Sequence, residues 1–132
     1  MSDAVQAVQI VAIAALEAHP VLAQRITGVF DDPPVRAGFP YISIADGLSS
    51  DWSTKTAKGR EIRLAMTIWD DGEAAARLHD LMSHAEEAIA AMARDLPGWR
   101  VASNVFLRSL IARNPAGPWA GLIEHRIRVL GV

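Results

Sequence analysis

A polar and basic segment between residues 51 and 60 holds the side chains whose types and spacing best suit contact chemistry. It combines acidic, aromatic, hydroxyl and cationic groups, namely Asp51, Trp52, Ser53, Thr54, Lys55, Thr56, Lys58 and Arg60. Tryptophan and arginine are favoured anchors of protein interfaces. The segment therefore predicts a loop that binds another protein, with the alternative that Trp52 folds back on its own sheet.

The same cations, with Trp52 as a stacking platform, are also compatible with nucleic-acid contact. However, the chain has a formal net charge of -2 and a pI near 6.0. Nucleic-acid-binding domains usually carry a pronounced basic patch or a high pI. We therefore expect protein contact and no direct binding of nucleic acid.

Catalytic and metal-binding patterns are weak in the rest of the sequence. Serines occur near the loop, but no Gly-x-Ser-x-Gly motif is present and no spacing nominates a base for a nucleophile. Asp80 and His84 lie four residues apart on the polar face of a predicted helix, and two ligands do not complete a metal site. We therefore predict no enzymatic activity, no metal and no cofactor.

Neighbouring strands must position the loop. Apolar side chains alternate with polar ones after Arg60, the apolar set being Ile62, Leu64, Met66 and Ile68. This period of two predicts a half-buried strand that ends at Trp69. A preceding strand begins at Tyr41 and runs toward Ser49, so residues 49–59 are predicted to form a long connecting loop.

The remaining elements complete an α+β pattern. Amphipathic helices are predicted over residues 3–18 and 73–94, the second with an acidic start at residues 70–73. Residues 21–26 suggest one more helical turn, and residues 28–30 a short strand before a loop at 31–34. Residues 101–112, apolar on both faces, predict a strand covered on both sides, and a turn at 114–118 leads to an alternating strand over 123–130.

The predicted order is α-β-β-β-α-β-β. It describes a small antiparallel sheet of about four main strands with two main helices packed on it. The length of 132 residues suits one domain over residues 1–132. The absence of cysteine fits a reducing compartment. The N-terminus lacks a basic n-region and its apolar run is short, so we expect an intracellular protein without a membrane segment.

Charge is distributed unevenly along the chain. Residues 99–132 have a net charge of +4 and residues 1–98 have -6. The split could be chance, could attract two halves of one subunit, or could join identical subunits head to tail. Under the last interpretation the candidate interface cations are Arg108, Arg126 and Arg128. The first helix, apolar beyond one stripe, would pack in the core or against a neighbouring subunit.

Several of these segments resemble a known family. The resemblance lies in residues 51–56, in Gly59, Arg60 and Glu61, in Leu64, and in Ile68 followed by Trp69. Residues 39–42 upstream, the alanine-rich helix and residues 126–128 fall in the expected places. Together they resemble the tail-completion, or tail-terminator, proteins of long-tailed bacteriophages and gene transfer agents.

This resemblance implies a structural protein without catalytic residues. Such proteins form a ring, typically a hexamer, at the head-proximal end of the tail tube, where they stop tube growth and offer a head-joining surface. The implied partners are further copies of the chain, the major tail tube protein and a head-completion protein. The implied location is the host cytoplasm during assembly and then the particle tail. The alternatives are a head–tail connector protein and, further away, a small ligand-binding or enzymatic α+β domain.

Overall fold

The computed structural model describes residues 3–31, 34, 36–45, 47–113 and 115–132. Within these ranges the chain forms three helices and seven strands. Their order is α1 (Ala4–Ala18), α2 (Pro20–Arg25), β1 (Val29–Phe30), β2 (Tyr41–Ala45), β3 (Ser49–Asp51), β4 (Gly59–Asp70), α3 (Ala76–Ala90), β5 (Asp95–Leu96), β6 (Trp99–Arg113) and β7 (Trp119–Gly131).

The strands form one sheet in the order β1-β2-β4-β7-β6-β5, and β3 also pairs with β4. The β1–β2 pair is parallel and the other pairs are antiparallel. The predicted α+β class is confirmed, and the extra helical turn is present as α2. The predicted count of about four main strands is too low, because the sequence pattern does not reveal β3 and β5, which are three and two residues long.

The predicted loop over residues 49–59 is wrong at its start. The strand that begins at Tyr41 breaks near Gly47 and resumes as β3, which pairs with β4. A Cβ atom on Gly47 would lie 1.8 Å from the carbonyl oxygen of Arg63, so the close approach of the two chains requires glycine here. The loop between β3 and β4 therefore covers only residues 52–58.

The core lies between the helices and one face of the sheet. The predicted inward face of β4 is confirmed, because its four apolar side chains have exposed fractions of 1% or less. Helix α3 contributes a continuous apolar stripe that includes Leu78, Leu81, Ala85 and Ile89. Burial of each large aliphatic side chain stabilises the fold by about 1.5–3 kcal/mol. Helix α1 buries one stripe and leaves Ile10 60% exposed.

The connection from β4 to α3 differs from the predicted acidic helix start. Helix α3 begins at Ala76 and has no side-chain cap, because its N-cap residue is Ala75, and Asp70 is buried in another role. Asp70 accepts a hydrogen bond from Arg77 Nε at 3.0 Å and one from the Gly72 amide at 3.2 Å. The bond from Arg77 is the main reason that the pKa of Asp70 lies below its usual value. Asp70 thus ties the end of β4 to α3.

The prediction that β6 is covered on both sides is also wrong. Only Trp99 and Val101 are buried in this strand, whereas Val105, Phe106 and Leu110 are 38%, 45% and 56% exposed. The reason is position: β6 lies at the edge of the sheet, outside β7, and α3 is centred on β4 and β7.

Some predicted features lie outside the described residues. These are Asp32 and Pro33 of the predicted loop at 31–34, and Asn114 of the turn at 114–118. In the part of the chain that the structure describes, no helix has both the length and the apolar character needed to cross a bilayer.

Candidate protein-contact surface

The loop over residues 52–58 is held in shape by its own polar groups. The amides of Trp52 and Thr54 donate to the carbonyl oxygens of Gly59 and Ala57 at 2.9 and 2.8 Å. The hydroxyl of Ser53 accepts from the Gly59 amide at 3.0 Å and donates to Asp51 Oδ1 at 2.6 Å. These hydroxyl and carboxylate groups therefore stabilise a turn.

The hydroxyl of Thr54 completes the turn. It accepts hydrogen bonds from the amides of Thr56 and Ala57 at 3.3 and 3.1 Å. The root of the loop is fastened to the end of β7, because the Gly131 amide donates to the Lys58 carbonyl oxygen at 2.8 Å. The loop is thus the hydrogen-bonded turn of the β3–β4 hairpin, and its last residue is also bonded to the end of β7.

The predicted cations of the loop are presented to solvent. Lys55, Lys58 and Arg60 are exposed, and no ion pair joins either lysine to a residue that the structure describes. Arg60 Nη1 donates to the Ser49 hydroxyl at 3.1 Å. The two lysines are therefore the positive charges of this loop that are available to a partner.

The predicted interface arginines lie together on the sheet face that carries no helix. Four arginines and two glutamates form this arginine face, namely Arg63, Arg108, Arg126, Arg128, Glu61 and Glu124. Arg108 Nη2 donates to Glu124 Oε1 at 2.7 Å, and Arg63 Nη1 lies 4.0 Å from Glu124 Oε2. Arg128 Nε donates to Glu61 Oε1 at 2.9 Å. Positive charge remains in excess on this face.

Hydrogen bonding changes the electrostatics of individual members of the face. The bond to Glu124 raises the pKa of the Arg108 guanidinium, which stays protonated. Arg126 is opposite Arg63 in the β4–β7 register, and its Nε is buried without a hydrogen-bond partner. The face thus holds two arginines in register, one of them with an unused buried donor.

The structure unites part of the predicted site and separates two members, Lys58 and Arg60. The Arg128 guanidinium lies over the Trp52 ring, so the loop and the arginine face form one continuous surface. Arg60 is one residue from Glu61 in β4 and therefore points to the opposite face of the sheet. Lys58 and Arg60 instead line a hollow beside the first residues of α1, together with Asp3 and Ser49.

A second exposed feature, the apolar edge formed by Val105, Phe106 and Leu110, was not predicted from the sequence. The only available signal was that β6 is apolar on both faces. That pattern is the same whether the strand is covered by its own chain or by another molecule. It therefore could not distinguish an internal strand from an exposed edge.

Comparison with known families gives a match over residues 12–130 to the family described as tail completion protein gp17. This chain belongs to that family. The family resemblance found in the sequence is therefore confirmed.

Two solved structures are similar to this tail completion family member. A chain in the virion of a native gene transfer agent particle is 26% identical, with a TM-score of 0.86, and the match covers 98% of this chain and 100% of that chain. The gp17 protein of bacteriophage SPP1 is 23% identical, with a TM-score of 0.65 and coverage of 94% and 89%. The second likeness shows a shared fold only. Comparison with curated proteins gave no match.

One cluster of this tail completion family member has the residue types of a metal site. The ligand atoms of His19, His84 and Glu87 lie within 4.8 Å of one another. His19 Nδ1, however, accepts the amide hydrogens of Val21 and Leu22 at 3.3 and 3.4 Å. The proton of the neutral ring is therefore on Nε2, which donates to Glu87 Oε1 at 3.0 Å. In this tautomer the group fastens α2 to α3, and Nε2 has no lone pair for a metal.

The predicted pair of Asp80 and His84 is likewise engaged within the protein. His84 Nε2 lies 3.7 Å from Asp80 Oδ1, and Asp80 also binds Arg25 of α2. These contacts give the pair a structural role between the helices. The arrangement of the described residues therefore suits contact with other proteins, through the loop and the arginine face.

Proposed function

We propose that this chain forms a ring at the head-proximal end of a phage-type tail tube. There it stops polymerisation of the tube and provides the surface to which the head joins. The observation that carries the proposal is the match to a chain of a gene transfer agent virion, which extends over nearly all of both chains.

A ring of identical copies needs a heterologous interface, in which two different surfaces of each subunit meet. The charge split of +4 against -6 supports such a contact. In this arrangement Arg108, Arg126 and Arg128 contribute to the subunit interface. The loop with Lys55 and Lys58 reaches the tail tube or the adjacent subunit. The proposed stoichiometry is six.

The proposed partners are the major tail tube protein on one side of the ring and a head-completion protein on the other. The role is structural, and the internal bonding of Asp51, Ser53 and Thr54 supports it, because these groups are occupied in shaping the loop. We place assembly in the host cytoplasm, before the ring becomes part of the particle tail.

Deletion of the gene in its native phage or gene transfer agent tests the function. Negative-stain electron microscopy should then show overlong or headless tails, and expression of the chain in trans should restore normal particles. A head–tail connector role would instead give filled heads without tails. Normal particles in the deletion strain would overturn the proposal.

A further inference from the structure

Strand β6 has a free backbone edge over most of its length. On one side it pairs with β7, and on the other β5 covers only Trp99 and Arg100. The Val101 amide donates to the Arg94 carbonyl oxygen at 2.8 Å, which extends this cover by one residue. From Ser103 to Arg113 no described strand pairs with the outer edge. Such an edge is a template for another strand.

The free edge is apolar on both of its faces. Val105 is opposite Arg126 and Leu110 is opposite Leu122, so both belong to the arginine face. Phe106 is opposite the buried His125, with ring centroids 5.8 Å apart, so it belongs to the helix-bearing face. A partner that covers all three side chains must therefore enclose the edge itself, as an added strand does.

A groove continues the edge on the helix-bearing face. It lies between α3 and β6, and the residues that line it include His79, Met82, Glu86, Ser109 and Ile111. The two irregularities in the β6–β7 register, near residues 101–103 and 106–108, bend the strand and restrict which partners can pair with it.

We infer that this edge, defined as residues 103–113 of β6 with the adjoining groove, is where one copy of the chain binds the next copy. The choice of occupant rests on charge. Arg108 and Arg113 lie exposed along the edge, where Arg108 also binds Glu124 and Arg113 lies over the Trp119 ring. Glu17 and Glu87 lie exposed on the helices, and Glu87 also binds His19. The chain therefore carries both halves of a complementary pair on different surfaces, as a head-to-tail contact requires. The inference rests on the proposed ring and assigns its subunit contact.

The absence of cysteine allows a direct test with a single photo-crosslinker. Leu110→Cys, labelled with a benzophenone maleimide, places the reactive group on the edge. Leu48→Cys is the matched control, because Leu48 is 79% exposed and distant from β6 in the sheet order. Each labelled protein is mixed with unlabelled chain, with and without purified tail tubes, irradiated, and analysed by mass spectrometry.

We expect the label on residue 110 to give adducts with a second copy of the chain, at least tenfold more abundant than those from residue 48. Adducts mainly with the tube protein, or no adducts in either condition, would overturn the inference. The double variant Phe106→Asp with Leu110→Asp should retain the thermal unfolding midpoint. Its affinity for further copies of the chain should fall by about tenfold or more. Leu48→Asp should retain both.

Failure of the inference is distinguishable from failure of the proposed function. If the double variant still forms normal rings on tubes, the edge is not the contact, while the terminator role stands. If the chain self-associates through residues 103–113 but its deletion leaves particles normal, the contact stands and the terminator role fails.

Discussion

The guanidinium of Arg128 lies over the indole ring of Trp52, with 5.2 Å between its Cζ and the ring centroid. The same guanidinium holds the carboxylate of Glu61 on its Nε side. Trp52 belongs to the loop between β3 and β4, and Arg128 belongs to β7. Of the two interpretations of Trp52, the structure shows the ring folded against its own sheet, and a role as an interface anchor stays a prediction.

We predict a measurable energetic coupling between these two side chains. In a double-mutant cycle of Trp52→Ala and Arg128→Ala, the coupling should be about 0.5–1 kcal/mol, because a cation above an aromatic ring is attracted to its face. Urea denaturation of the four proteins gives the value. The cycle of Trp52→Ala with Arg108→Ala is the control and should be additive, since Arg108 binds Glu124. Additivity in both cycles would contradict the prediction.

The free lysines of the loop should matter for assembly and not for folding. Lys55→Glu with Lys58→Glu reverses two exposed charges that have no described ion-pair partner. We therefore expect a change in the free energy of unfolding within about 0.5 kcal/mol. Binding to purified tail tubes, measured by co-sedimentation, should fall by at least about tenfold.

Arg36→Glu is the control for the lysine variant. Arg36 is exposed and lies outside both the loop and the arginine face. This variant should bind tubes as the unmodified chain does. Normal tube binding and ring formation by the lysine variant would show that the loop makes no essential contact.

The two faces of β4 should respond very differently to a new charge. Ile68→Asp places an unpaired carboxylate in the core, since Ile68 is fully buried, and should cost more than about 4 kcal/mol and unfold the protein. Thr67→Asp, one residue away on the opposite face, should cost far less. Circular dichroism and thermal unfolding check both variants. A folded Ile68→Asp protein would mean that the faces of β4 are assigned wrongly.

Stability should decrease as the pH falls below about 6.5, through His125. Burial lowers the pKa of this imidazole below its usual 6.5, so just below that pH the unfolded chain binds more protons at this group than the folded chain does. The free energy of unfolding therefore falls with decreasing pH, at up to about 1.4 kcal/mol per pH unit. Above pH 7 this contribution is constant.

Two variants isolate the His125 effect. His125→Gln should reduce the slope just below pH 6.5, measured by urea denaturation at each pH. His79→Gln removes an exposed histidine and is the control for the loss of one imidazole. An unchanged slope in His125→Gln would assign the pH dependence to other groups.

The elements that sequence alone predicted are those in which one periodicity dominates. The four alternating aliphatic residues of β4 and the stripe of α3 each satisfy a single pattern, and both are confirmed. The short strand β3 escaped prediction because Ser49, Ser50 and Asp51 have little strand preference. They pair with β4 because the chain returns closely past Gly47, which is a tertiary effect.

The residues of the candidate surface could be predicted from the sequence, but their arrangement in space could not. Each predicted cation could be named from the sequence, but only strand register shows that Arg128 reaches Trp52 and that Arg60 lies on the other face. The acidic residue Asp70 fitted a helix start, yet its buried bond to Arg77 determines its role. Contacts between residues far apart in the sequence determine where these side chains lie, and no local sequence pattern reveals such contacts.

Gly121 has no side chain, and a Cβ atom there would lie 2.6 Å from Met82 Sδ and 3.0 Å from Leu78 Cδ1. Helix α3 can therefore pack closely against β7, and the depth of the groove beside Ser109 depends on that close packing. Replacing this buried glycine by alanine would displace the side chains of Met82 and Leu78, and Met82 lines the groove between α3 and β6. The shape of an exposed groove therefore depends on the absence of a side chain at a buried position.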